Sequence, residues 1–251
     1  MQQRCFLPQT TSVKVSLTAR YAIYFSPEDN SELELFGATV LRRRAADASE
    51  WENPEIPVEF PSSSCWKKRV IRPANYGFHA TIKAPFALAG NHTAEQLHHD
   101  LEAFCRKRQP IPLEGLIPTR TTRYDALALN SQPEALKALA ADSVQEFEKY
   151  RAPLTEQDIK RRDPSSLSAR ENRYLTQYGY PYILDDFNFH MTLSGANDHN
   201  DAAYLVWLKS LYQAMVSETP VLDRLCIFYQ PNRDTAFVRI TEFKLGNTSG
   251  A

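Results

Sequence analysis

Apolar and polar positions divide the chain into alternating strand-like and helix-like stretches. Residues 20–25, Arg-Tyr-Ala-Ile-Tyr-Phe, are aromatic and β-branched and predict a strand, closed by Ser26-Pro27-Glu28-Asp29. Ser31-Glu32-Leu33-Glu34 has capping-box spacing and predicts a helix to about Arg43. Residues 46–75 carry Pro54, Pro57, Pro61, Pro73 and a serine run, which predicts a long irregular excursion, a flap or a mobile loop. Beyond it the pattern predicts a strand over 77–83, a helix over 93–107 opened by Thr93-x-x-Gln96, and strands near 113–119 and 123–129. A helix from Pro133 to about Tyr150, a polar helical connection over 155–178 and a strand over 187–194 follow. A helix over 198–216 and strands over 222–230 and 235–243 close the chain. Hairpin-like strand pairs mixed with helices predict an α+β fold with antiparallel sheets, not a doubly wound parallel sheet.

Two of these strands echo each other. Tyr76-Gly77-Phe78-His79-Ala80-Thr81-Ile82 matches Phe187-Asn188-Phe189-His190-Met191-Thr192-Leu193 in register at Phe, His and Thr. With a period of two, Phe78, Ala80 and Ile82 share one face, and His79, Thr81 and Lys83 the other. The second copy sets Phe189, Met191 and Leu193 against His190, Thr192 and Ser194. A single H-x-T strand reads most simply as a hydrogen-bonded histidine on a sheet; two copies with the same alternation point to a shared role. Imidazole titrates near neutrality, so two of them can serve one reaction as base and acid. A threonine hydroxyl two residues on projects from the same face and can bind an anionic oxygen. Facing each other across a cleft, the pairs would hold a phosphate and cleave a phosphodiester without metal.

Composition narrows the partners. The 251 residues carry 29 Lys+Arg against 30 Asp+Glu, a formal charge of −1, which argues against long nucleic acid as ligand. There are 8 glycines and neither G-x-G-x-x-G nor G-x-x-x-x-G-K-[ST], so the common Gly-rich phosphate cradles are missing. Cys5, Cys65, Cys105 and Cys226 form no C-x-x-C pair and read as free thiols of a reducing cytosol. No apolar run suits a membrane span and no h-region marks a secretory signal, so a cytoplasmic protein is expected. His98 and His99 are adjacent rather than i, i+4, and with His92 and His199 they read as solvated; no metal or cofactor is expected.

The fuller strings carry a resemblance. Residues 20–25, Tyr76 to Phe86, Tyr150-Arg-Ala-Pro-Leu-Thr155, and Gly179-Tyr-Pro-Tyr182 leading to Phe189-His-Met-Thr-Leu193 resemble the two-histidine (2H) phosphoesterase superfamily. Within it they are closest to a bacterial branch associated with phosphonate-utilisation gene clusters. The resemblance covers residues 20–243, leaving 1–19 as an N-terminal extension and 244–251 as a tail, both expected to be flexible. It implies a single bilobal domain, two pseudo-symmetric α+β lobes with antiparallel sheets around a central cleft. It implies His79 and His190 as the catalytic pair, with Thr81 and Thr192 binding the phosphate. Further candidates for the cleft are Tyr24, Lys83 as a charge partner, Phe86 as a wall, Tyr182 beside Tyr180 as a gate, and Tyr229 with Arg239. Lys67, Lys68, Arg69 and Arg72 would attract a polyanion if they flank it. The resulting expectation is a metal-independent phosphodiesterase that hydrolyses a small cyclic phosphodiester, a cyclic ribose phosphate or a 2′,3′-cyclic nucleotide. The alternative is a non-catalytic module holding a nucleotide or RNA end in the same cleft. A metallohydrolase with the two histidines as ligands ranks last, for want of a third ligand at helical spacing.

Overall fold

The opening aromatic run forms β1 (Arg20–Phe25), which lies inside the main sheet with a strand on either side. The computed structural model describes residues 19–52, 56–58, 63–195 and 202–246. In chain order β1 is followed by α1 (Glu32–Leu41), α2 (Ser63–Ala74), β2 (Ala80–Phe86), α3 (Ala94–Arg106), β3 (Ile111–Pro112), β4 (Leu116–Arg120) and β5 (Asp125–Leu129). Then come α4 (Glu134–Glu146), α5 (Glu156–Arg161), α6 (Ala169–Tyr178), β6 (His190–Thr192), α7 (Ala202–Met215), β7 (Val221–Leu222), β8 (Arg224–Gln230) and β9 (Val238–Lys244).

Seven strands form one sheet in the order β4-β5-β6-β2-β1-β8-β9, and each adjacent pair is antiparallel. β3 and β7 make a separate antiparallel pair. The expected α+β class with antiparallel sheets is what forms. The two motif strands, β2 and β6, are neighbours and meet through one residue pair, Ala80 with Met191. That junction divides the sheet into a β4-β5-β6 flank and a β2-β1-β8-β9 flank.

One face of the sheet is covered by helices, with α4 against β2, α7 against β4 and α1, and α3 against β8 and β9. Ile23, Phe36, Phe78, Ile82, Leu97, Leu127, Met191 and Trp207 belong to the continuous core between them. Local signals in the sequence set several helix starts. Thr93 and Gln96 close a reciprocal capping box on α3. Ser31 Oγ accepts the Glu34 N–H at α1, but the Glu34 carboxylate turns to the Asn30 N–H and to Arg44, so that box stays open.

Several expected boundaries move. The proline-rich excursion contains α2, because Trp66 and Val70 recur at helical spacing and bury against the core. Trp66 Nε1–H donates to the Val40 carbonyl at 2.7 Å, and Pro73 falls in the last turn, where the helix is already ending. The 155–178 connection breaks into α5 and α6 at a 3₁₀ turn, Pro164–Ser166, since Pro164 has no N–H to continue a helix. The first motif strand begins at Ala80 instead of Gly77, whose φ of +74° makes a turn. Residues 1–18, 53–55, 59–62, 196–201 and 247–251 lie outside the described residues, and with them most of the expected extension, part of the excursion, His199 and most of the tail. Among the described residues no helix is long and apolar enough to cross a membrane.

Gly37, in the middle of α1, ties the core to the first motif. A Cβ there would overlap the Phe78 ring, which lies directly on the helix backbone and precedes His79. Gly37→Ala is therefore expected to destabilise the protein by about 1–3 kcal/mol through overpacking, read from urea unfolding midpoints. Helix propensity alone would give the opposite sign, a gain of roughly 1 kcal/mol, and that outcome would refute the packing role.

Candidate active site

The Ala80–Met191 pairing determines what the site contains. In an antiparallel ladder the flanking residues come opposite each other, so His79 faces Thr192 and Thr81 faces His190. Phe78, Ala80, Ile82, Phe189, Met191 and Leu193 are buried on the core side, as the alternation requires. The two histidines and two threonines all line one cleft of about 600 Å³ on the other side. The expected catalytic and phosphate-binding groups are thus brought together.

Both imidazoles are held in the same tautomer by the same device. Nδ1 of His79 lies 2.9 Å from the Gly77 carbonyl oxygen, and Nδ1 of His190 lies 2.8 Å from that of Asn188. A carbonyl only accepts, so each Nδ1 carries the proton and each neutral Nε2 presents a lone pair. Thr81 Oγ1–H donates to His79 Nε2 at 3.3 Å, and the Tyr124 hydroxyl donates to His190 Nε2 at 3.0 Å. The Tyr24 ring stacks on His79, centroids 3.8 Å apart and planes 20° apart. Burial lowers the His79 pKa to about 4, against the smaller raising effect of the Gly77 carbonyl, with the charge of His190 lowering it further. Burial also lowers His190, opposed by the Asn188 carbonyl. Both rings are therefore neutral bases at neutral pH.

Other expected residues sort by the side of the sheet they occupy. Tyr24 is fully buried and lines the cleft through its contact with His79. Tyr182 faces an adjoining chamber of about 540 Å³ that shares His190, Tyr124 and Tyr180 with the main cleft, and it meets Tyr180 edge-to-face at 5.6 Å. Lys83 does not join the cleft. β1 pairs Tyr24 with Thr81 but Ile23 with Lys83, so a bulge at Ile82 reverses the alternation and turns Lys83 inward. There its ammonium pairs with Glu148 at 2.9 Å and donates to the Val144 carbonyl at 3.1 Å. Phe86 is a core residue, and Tyr229 pairs with Tyr21 on the face opposite Tyr24, ring centroids 5.0 Å apart. Arg239 is engaged by Asp29, Glu242 and the Pro27 carbonyl. Arg72 lines the cleft, whereas Lys67 and Lys68 are exposed outside its lining and Arg69 lies over the Tyr204 ring.

Tyr124 and Arg123 were not expected. They come from the β4–β5 turn, where Thr121 Oγ1 donates to the Tyr124 carbonyl and accepts the Arg123 and Tyr124 N–H groups. Thr121-Thr122-Arg123-Tyr124 is an ordinary turn sequence, and only the sheet order puts it beside His190. Arg20, Arg72, Arg123 and Arg162 line the cleft and no carboxylate does, among the described residues. A chain of nearly balanced charge therefore has one strongly cationic cavity.

Residues 81–238 match the family described as "Protein of unknown function (DUF1045)", and the chain belongs to that family. Among curated proteins it is similar to the ribose 1,5-bisphosphate phosphokinase PhnN of Janthinobacterium sp. (strain Marseille), 33% identical over 240 residues, 92% of this chain and 52% of the relative. The protein of the same name from Laribacter hongkongensis (strain HLHK9) is 30% identical over 221 residues, 87% of this chain and 50% of the relative. The chain spans about half the length of the curated relatives it matches. These relatives correct the expected activity. Both are named as phosphokinases, enzymes that transfer a phosphoryl group, which conflicts with a hydrolytic phosphodiesterase. The alternative of a non-catalytic nucleotide or RNA-end binding module fits them no better. A small phosphorylated substrate is consistent with both names.

The neutral state of the pair can be read directly. NMR titration of the histidine ring protons is expected to show His79 uncharged from pH 8 to 6, with its midpoint near pH 4. A midpoint at the ordinary value of about 6.5 would contradict the desolvated site.

Proposed function

We propose that this chain works on a phosphorylated ribose by phosphoryl-group transfer, with His79 and His190 as its proton-transfer pair and Thr81 and Thr192 as phosphate ligands. The observation that carries the reading is the convergence of two Nε2 lone pairs, each with its Nδ1 proton locked on a carbonyl, in one cationic cleft. The names of the half-matching relatives supply the substrate class and the type of reaction.

The chemistry follows from the positions. One neutral imidazole takes the proton of the acceptor oxygen as that oxygen bonds to phosphorus. The other, charged once a phosphate anion raises its pKa, gives its proton to the oxygen whose bond to phosphorus breaks. Threonine hydroxyls bind the oxygens that carry the developing charge. Tyr124 orients His190, and Tyr24 holds the His79 ring in plane. We read residues 20–243 as one bilobal unit on the two-histidine pattern, its halves being the sheet flanks either side of the β2–β6 junction. The setting is phosphonate metabolism, that of the bacterial branch whose motif strings this chain resembles.

The test is a transfer assay followed by ³¹P NMR, with ribose phosphates as acceptors and magnesium nucleoside triphosphate as donor. His79→Gln and His190→Gln are each expected to cut the rate about 10²–10⁴-fold while the thermal unfolding transition is kept. Near-wild-type transfer in either folded variant, or no transfer by the wild-type chain, would refute the reading. Tyr124→Phe is expected to cost less than either and to shift the pH profile, since it removes only the donor to His190 Nε2.

A further inference from the structure

Two of the cleft arginines, each half-buried, have no carboxylate partner among the described residues. Arg20 shares a face of β1 with Tyr24, and its Nε donates to Gln230 Oε1 at 2.8 Å. Gln230 is itself oriented, because its amide Nε2–H donates to the Thr235 carbonyl at 2.7 Å. The Arg20 guanidinium lies 5.2 Å from the Phe237 ring centroid. Arg162, at the end of α5, lies 4.6 Å from the Tyr180 ring centroid. Both line the cleft, both are held by neutral groups, and neither is paired with a carboxylate among the described residues. Burial first, and then the nearby cation Arg233, lower the Arg20 pKa, against the opposing effects of the neighbouring Tyr76 and Tyr24 hydroxyls. Arg233 is committed to Asp158.

Guanidinium groups that line a cleft with no carboxylate beside them are complementary to an anionic ligand. Guanidinium forks match phosphate oxygens in bidentate geometry. Tyr24 connects this wall with the catalytic pair: its ring stacks on His79, and Arg20 and Arg162 both act on its hydroxyl. We propose that Arg20 and Arg162 form a second phosphate seat, separate from the His–Thr centre, so that the cleft selects a substrate carrying two phosphoryl groups. This rests on the reading of the cleft as a ribose-phosphate site and adds the number of phosphates and the residues that count them. About 600 Å³ is ample for a pentose bisphosphate.

Calorimetric titration of the full chain with ribose 5-phosphate, ribose 1,5-bisphosphate, inorganic phosphate and pyrophosphate at fixed ionic strength tests it. The wild type is expected to prefer the bisphosphate, and Arg162→Gln and Arg20→Gln each to weaken it on the order of tenfold, shrinking its advantage over the monophosphate. Arg20→Lys, which keeps the charge but loses the fork, covers the case in which Arg20→Gln misfolds, and should fall between the two. An unchanged preference in the folded variants, or an equal loss for mono- and bisphosphate, overturns the seat. If the wild type ignores both sugars but binds pyrophosphate in a manner that depends on Arg20 and Arg162, the ribose reading fails and the seat stands.

Discussion

Everything at the candidate site follows from the pairing of Ala80 with Met191. Both residues are fully buried, and each follows its motif histidine by one position. A slip of one residue in either strand would turn its histidine and threonine into the core and its apolar residues into the cleft. Burying Phe78, Ile82, Phe189 or Leu193 contributes roughly 1.5–3 kcal/mol each, so the register is held by the apolar face. The chemistry occupies the face that packing leaves over. The register also places the pairs crosswise, His79 by Thr192 and Thr81 by His190, making one site from two halves of the sheet.

Electrostatics then decide what such a site attracts. Burial keeps both imidazoles neutral, and carbonyls two residues upstream fix which nitrogen carries the lone pair. Around them stand four arginines without a lining carboxylate among the described residues. The cavity is therefore cationic at its rim and unprotonated at its centre. On the function proposed above, a phosphate entering it would offset the arginine charge and raise the pKa of the imidazole it touches, so that the ligand generates the acid. This combination is consistent with a small phosphorylated ligand, as are the names of the relatives that share about 30% identity with this chain.

Much of this was legible in the sequence because it is local. Period-two alternation around His79 and His190 gave the faces of both motif strands, and Thr93-x-x-Gln96 gave a helix start that formed as read. What was hidden depends on partners far along the chain. The bulge at Ile82 that sends Lys83 to Glu148 exists only in the pairing with β1. Tyr124 reaches His190 only because β5 lies beside β6, and Arg20 reaches the cleft only through β1. The helix at Ser63–Ala74 was obscured by the prolines and serines ahead of it, although Trp66 and Val70 already had helical spacing. The motif resemblance points to hydrolysis, with which the relatives' names as phosphokinases conflict, while a small phosphorylated ligand stays consistent with them.

The central claim is that two sequence repeats make a single anion-binding centre. Titrating the protein, ¹⁵N-labelled at histidine, with inorganic phosphate and following the His79 and His190 ring nitrogens tests it most directly. The account predicts that both Nε2 signals move together along one isotherm with a common midpoint. Movement of only one histidine, or two independent isotherms, would contradict it.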